Sequence, residues 1–471
     1  MSRSKNKIKT AVPSVMTVTA ALLIITILTA LICGCGTETP GGTDTHHVLT
    51  TQSEPAQTDS PPETDDTPPK IVFTPSEDTS LGTYDGYTFT VIEKADTRDS
   101  LAAADGDDRH ASVKRLVGAD IKVNTTADPT SVIQRSAQSG EMICDAMNLP
   151  LSDLTVLLRG GYLEDLAGIG LSPTLTGSSR VAAESLAVNG KYYIAFGDIS
   201  PSSISSVYTL RCNLRAALSN EIYAIFGADI REATLDGELT LERILRVISD
   251  SKLIVSSTSC DTVLTIDGDD TVGTAEALIT ALGGSVFDLG SDTETIAVND
   301  TDFAYAYGKA ADIYGITDTD GASVFTITRF QAATDTECSL PLPKLNENAD
   351  YRCLADTDGT LGWAAPRGIP YGKRTADISA AIFGASYSRS AVYFNTVSNN
   401  ASDTAASLAR LIFDSRAFDA AYIFGWGDLA ETVCNGIING NTLTEVINEQ
   451  TYAKKAEAAR TAIEIFRSRL D

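Results

Sequence analysis

Very few residues in this 471-residue sequence are of the types that carry acid–base or metal chemistry. The three histidines are His46, His47 and His110. The first two sit in a stretch dominated by Thr, Pro and acids, so a Ser-His-Asp triad or a multi-histidine metal site would have to be built around His110. It lies in a polar run, residues 104–112, with no nucleophile or ligand motif beside it, and neither catalysis nor a metal site is expected there. Cysteine offers little more. Cys33 and Cys35 lie near the start, and Cys144, Cys212, Cys260, Cys338, Cys353 and Cys434 are scattered without a CxxC pair, which speaks against zinc. Cys338 and Cys353 are near enough in sequence to close a local loop as a disulfide, with free buried thiols as the other reading. Two carboxylates flanking a glycosidic bond would need no histidine, but the sequence singles out no such pair among 62 acids. No catalytic residue and no cofactor is indicated. The chain reads as a non-enzyme, with a surface glycan hydrolase as the enzymatic alternative.

The composition, 43% hydrophobic and 21% charged with mean hydropathy near zero, is that of a globular protein with one segment able to enter a bilayer. Its formal charge of −26 understates the acidity of the body, because Arg3, Lys5, Lys7 and Lys9 all precede that segment. Such a surface repels phosphate backbones, and no nucleic-acid partner is expected. Residues 1–35 read as an export signal: a basic start, an apolar run over about 15–32, then Ile32-Cys33-Gly34-Cys35. These four residues resemble a bacterial lipobox, which implies lipid attachment, palmitate included, at Cys35. An uncleaved anchor helix is the alternative. Either way the basic start stays inside and the rest of the chain faces the extracellular side of the cell membrane. Residues 36–83 form a Thr/Pro-rich tether with too little apolar surface to build a core.

The body must be folded by elements that alternate in type. Strand-like runs at 87–92 and 119–123 flank a helical pattern at 129–139, and 142–149 reads as a buried edge entering a loop. A helix over 151–158, a strand over 191–196, helices over 241–248 and 274–282, and a strand over 324–330 follow. The last helix is the clearest, since Tyr452, Ala456, Ala459, Ile463, Phe466 and Leu470 recur at spacings of four and three. The fold class is α/β. At this length two lobes are the natural division, because single cores stop growing beyond roughly 250–300 residues.

Several patterns, in order along the chain, resemble extracellular solute-binding proteins of the family 1 type that serves carbohydrate ABC importers. They are Ser139-Gly140-Glu141 leading to Cys144-Asp145, Gly161-Tyr162-Leu163-Glu164-Asp165-Leu166, and Val188-Asn189-Gly190-Lys191-Tyr192-Tyr193. Further on come Gly283-Gly284-Ser285-Val286-Phe287-Asp288, Pro341-Leu342-Pro343-Lys344, Gly368-Ile369-Pro370 and the run 413–419. The resemblance implies a two-lobed periplasmic-binding-protein-like (type II) fold with a hinge, an interlobe cleft and C-terminal helices. Lobe one is expected over 84–207 with 339–369, and lobe two over 208–338 with 370–471. It implies a monomer that is anchored by its lipid and captures a small hydrophilic ligand, a sugar first of all, for an ABC permease. A signalling lipoprotein that no longer serves transport is the remaining alternative.

The resemblance also places candidate ligand-binding residues. Trp363 and Trp426 fall in segments near the cleft, where a flat ring could stack on a sugar, although a tryptophan packed in the core is an equal reading. Asp428, after Trp426, could accept a hydroxyl hydrogen bond or cap the following helix. Asn148 and Ser152 flank a helix N-terminus in the first lobe, and Asp198 and Ser200 lead toward the crossing between lobes. Asp145 reads as structural.

Overall fold

The structure, a computed structural model, describes residues 81–102, 107–214, 219–255, 260–266, 270–290, 296–318, 321–399 and 402–470. The export segment with Cys35, His46, His47 and the tether up to residue 80 lie outside the described residues.

Residues 88–94, TFTVIEK, bury Phe89, Val91 and Glu93 from one run of alternating side chains and form the central strand β1 (Thr88–Lys94) of the first sheet. Strands β2 (Asp120–Thr126) and β3 (Ala146–Pro150) pair with it in parallel. Parallel neighbours need crossover connections, and the helices Asp107–Val117 and Pro129–Ser139 supply them. The second of these spans the residues its sequence predicts. Asp128 accepts a bond from Ser131 N at 3.1 Å, Pro129 opens the first turn, and Gly140 closes the helix at φ 70°.

A second sheet has the order β5-β6-β4-β7, built from β4 (Tyr208–Asn213), β5 (Thr262–Ile266), β6 (Ser323–Arg329) and β7 (Glu337–Leu340). β5 and β6 are parallel, and β4 runs antiparallel to both β6 and β7. A two-residue pairing of β8 (Cys353–Leu354) with β10 (Arg416–Ala417) stands apart. The chain returns to the first sheet as β9 (Leu361–Ala364), antiparallel to β3. The α/β class is therefore built as two sheets, each covered by helices.

Two segments carry the chain between the sheets, and they are bonded to each other. The outgoing 3-10 helix Pro201–Ser206 leads into Val207, which bridges Ala355 of the returning segment. Asp356 N donates to Ser206 O at 3.0 Å, the Ser206 and Thr360 hydroxyls meet at 2.8 Å, and Leu361 N donates to Ser203 Oγ at 3.1 Å. The long helix Gly372–Val397 also reaches both regions. Its first half buries Ala376, Ile378, Ile382 and Phe383 with Phe89, Val91 and Trp363, and its end accepts a bond at Val397 O from Ala333 N at 3.0 Å.

The last helix, Gln450–Leu470, buries Tyr452, Ala456, Ala459, Ile463, Phe466 and Leu470, the six residues its spacing picks out. Elsewhere the sequence misleads. Residues 191–196 form no strand: Tyr192 and Ala195 face one core, Tyr193, Ile194 and Phe196 the other, and the run pairs only through isolated bridges at Val188–Lys191 and Ala195–Trp363. The helix expected from Thr274 begins at Thr271, because the Asp270 side chain caps Gly273 N at 2.9 Å. Ser339 pairs with Arg211 in the second sheet and Lys344 bridges Thr240, so the return to the first sheet comes beyond residue 344. Cys338 and Cys353 are not bridged; the body's six cysteines are buried thiols.

Candidate functional site

Parallel strands end together, and the loops that leave their C-terminal edge are free to shape a crevice. Here β1 runs out into residues 95–98 and β3 turns at Pro150 into the helix Leu151–Arg159. These ends face the outgoing segment and Arg329, the last residue of β6 in the second sheet. Between them lies a cavity of about 570 Å³, lined by Lys94, Ala95, Asp96, Thr97, Arg98, Pro150, Ser152, Ser202, Ser205, Ser206, Arg329, Asp358, Gly359 and Leu361. A groove of similar size, about 540 Å³, lies elsewhere against Gly284, Ser285, Asp302, Arg352 and Asp419, but no residue of either four-stranded sheet lines it. The first cavity draws on both sheets and both crossing segments, and it is the candidate site.

Its walls are fixed by hydrogen bonds. Glu93 is completely buried and accepts bonds from Leu101 N at 2.9 Å, Asn148 Nδ2 at 2.8 Å and the Ser100 hydroxyl, which folds residues 95–101 back over β1. Asp99 accepts from Ser202 N at 2.9 Å and Ser202 Oγ at 2.6 Å, tying that loop to the outgoing segment. Lys94 Nζ pairs with Asp153 Oδ2 at 2.8 Å. On the opposite wall Arg329 Nη2 reaches Asp356 Oδ2 at 2.6 Å and Asp270 Oδ2 at 3.2 Å, with its guanidinium over the Tyr208 ring at 5.5 Å. The Tyr208 hydroxyl donates to Asp270. Burial would lower Arg329, but Tyr208 and the two carboxylates outweigh it and hold the guanidinium above its ordinary value. Burial first, then Asp270 and Asp356, raise the Tyr422 phenol beside this cluster. The cavity is thus lined with fixed cations, carboxylates and hydroxyls, and no aromatic side chain is among its lining residues.

Of the seven residues the sequence put forward, Ser152 lines the cavity. Asn148 lies beneath it, holding Glu93. Asp198 is buried in an ion pair with Arg410 at 2.5 Å, and Ser200 is buried at the start of the outgoing segment. Trp363 is 1% exposed, donates Nε1 to Ser379 Oγ at 3.1 Å and meets Phe383 edge-on. Trp426 stacks on Phe424 with centroids 4.4 Å apart and packs on Phe466. Both tryptophans are core residues, which follows from their size once they lie on elements with a neighbour on each side. Asp428 precedes the helix Leu429–Ile438 at φ 51°, and its side chain makes no capping bond. Lys94, Arg98, Ser202, Ser205, Arg329 and Asp358 escaped the sequence reading. For the first two, the end of the opening parallel strand was the available signal.

Among the described residues no group of three His, Cys, Asp or Glu side chains is placed to hold a metal ion. None of their helices is long and apolar enough to cross a membrane.

No protein-family model matches the chain, and no curated protein matches it. Among solved structures it is similar to a cyclo/maltodextrin-binding protein in complex with maltotetraose, at 14% identity and a TM-score of 0.47 over 82% of this chain and 97% of that one. It is also similar to the cyclic alpha-maltosyl-1,6-maltose binding protein of Arthrobacter globiformis, at 13% identity and a TM-score of 0.47 over 80% and 99%. The bacterial solute receptor AcbH, described as preferring β-D-galactopyranose, gives 12% identity and a TM-score of 0.49 over 83% and 99%.

Proposed function

We propose that this chain captures a small polyhydroxylated solute, a sugar or polyol, in the cavity between its two sheets, and hands it to an ABC importer. In this reading a lipid on Cys35 and the tether of residues 36–83 hold the body at the extracellular face of the membrane. The observation that carries the proposal is the cavity itself: its walls come from both sheets, and its floor is the pair of bonded crossing segments. A ligand that bonds to Ser152 and the 95–98 loop on one side and Arg329 on the other favours the state in which those walls are close, by its differential affinity for that state. The volume, about 570 Å³, falls in the range of small-molecule sites. Recognition rests on hydrogen bonds, because the lining offers no ring for a sugar to stack on.

The test is a thermal-unfolding screen against sugars, polyols, amino acids and short peptides. A ligand that binds only the folded state raises the midpoint. A saturable rise with one sugar or polyol, the compound recovered intact, is expected, and Arg329→Ala removes the rise while the protein still folds. Consumption of the compound would move the reading to a glycan hydrolase. A flat screen would favour a lipoprotein outside transport.

A further inference from the structure

Cys212 and Cys338 stand directly opposite each other on the antiparallel neighbours β4 and β7. Both are buried, at 1% and 5% exposure. Opposed residues in such a pair leave the same face of the sheet with Cβ atoms roughly 4.5–5.5 Å apart. Cross-strand Cα separations of that order lie inside the roughly 4.4–6.8 Å that a disulfide spans, and closing the bridge draws the two Cβ atoms in to about 3.5–4.5 Å. The Cys338 thiol, then burial, pushes Cys212 well above the ordinary thiol range. The partner the sequence offered for Cys338 is elsewhere, since Cys353 faces Arg416 in the β8–β10 pairing. Cys434 is engaged with Glu276 Oε2 at 3.0 Å.

We propose that Cys212 and Cys338 form a disulfide site that is bridged once the chain has been exported; the timing rests on the export reading above. The oxidant is a disulfide of the thiol–disulfide exchange class, either a small molecule or a protein. The thiolate of one cysteine attacks it and releases one thiol, and the second cysteine then attacks the mixed disulfide and releases the other. Two cysteine thiols give up two protons and two electrons, and one oxidant disulfide becomes two thiols. In the folded, reduced chain both sulfurs are buried, so they react slowly. The bond therefore forms before β7 seats on β4. β7 is an edge strand of its sheet, paired among the described strands with β4 alone, and it leads into the segment that returns to the first sheet. A bridge there ties down that edge across a loop of more than a hundred residues.

The full chain, unfolded and reduced, is refolded in a mixed glutathione buffer, alkylated in denaturant without reductant, and mapped by peptide mass. The Cys212 and Cys338 peptides are expected joined and lighter by two hydrogens, with Cys144, Cys353 and Cys434 alkylated. Dithiothreitol then lowers the thermal midpoint by about 5 °C, and Cys338→Ser removes that drop. Recovery of Cys212 and Cys338 both alkylated after refolding overturns the proposal. The same map on protein taken from cells that export it through its own leader separates the two readings. A bond formed in buffer but missing there supports the site and overturns export into an oxidising compartment.

Discussion

Glu93, in β1, and Glu276, in the helix Thr271–Ala281, are both completely buried, and they are treated in opposite ways. Glu93 receives three donors, from Ser100, Leu101 and Asn148, and through them it shapes the loop that walls the cavity. Glu276, inside the helix Thr271–Ala281, has one oxygen without a partner and receives only the Cys434 thiol on the other. Burial, and next to it the Asp419 carboxyl, push Glu276 well above the ordinary carboxylate range. Asp419 is itself raised by burial, against bonds from Tyr422 N, Ser285 and Val286 N. A satisfied buried acid organises a site, whereas an unsatisfied one makes its surroundings sensitive to pH.

The sharpest way to break this contrast is Glu93→Ala, which strands three donors and removes the cavity wall. It should cost about 4 kcal/mol in a urea titration and take ligand binding with it. Next comes Asp198→Ala. Asp198 and Asp414 share Arg410, at 2.5 and 2.7 Å, where the first region meets the helix Asp403–Asp414, and removing one partner of a buried pair should cost about 3 kcal/mol. Glu276→Gln should go the other way. A carboxyl raised in the folded state contributes its stability below the unfolded value, near the ordinary 4.5, and loses it progressively as pH climbs toward the folded value. Wild type should therefore weaken relative to Glu276→Gln as pH rises from 5 to 8. Equal midpoints across that range would erase the contrast. The smallest effect is Arg329→Ala at about 1 kcal/mol, because the side chain is half exposed; its signature is the lost ligand response.

What the sequence made legible follows the range of the interactions involved. β1, β2, the Pro129–Ser139 helix and the last helix rest on local periodicity and caps, which a single segment carries in itself. The run 191–196 has the composition of a strand but lies between two cores with no ladder beside it, a fact about its neighbours that its own residues do not contain. The cavity is harder still. Arg329, Asp356 and Asp270 converge from three separate segments, and nothing local marks any of them. Trp363 and Trp426 were conspicuous because tryptophan is rare here, yet rarity says nothing about which way a ring points.

The last helix is fastened at both ends to different regions. In its first half Lys455 Nζ donates to Thr432 Oγ1 at 2.8 Å and the backbone lies against Gly427, and near its other end Arg469 O accepts a bond from Arg367 Nη1 at 2.7 Å while Arg469 Nη1 donates to Arg159 O at 3.0 Å. The backbone of Gly161, at φ 74°, passes so close that a Cβ there would lie 2.6 Å from Arg469 O. Any rotation of one sheet against the other must therefore bend this rod or slide its tip. Resistance to such a rotation then comes from the C-terminal helix, at a distance from the residues that line the cavity.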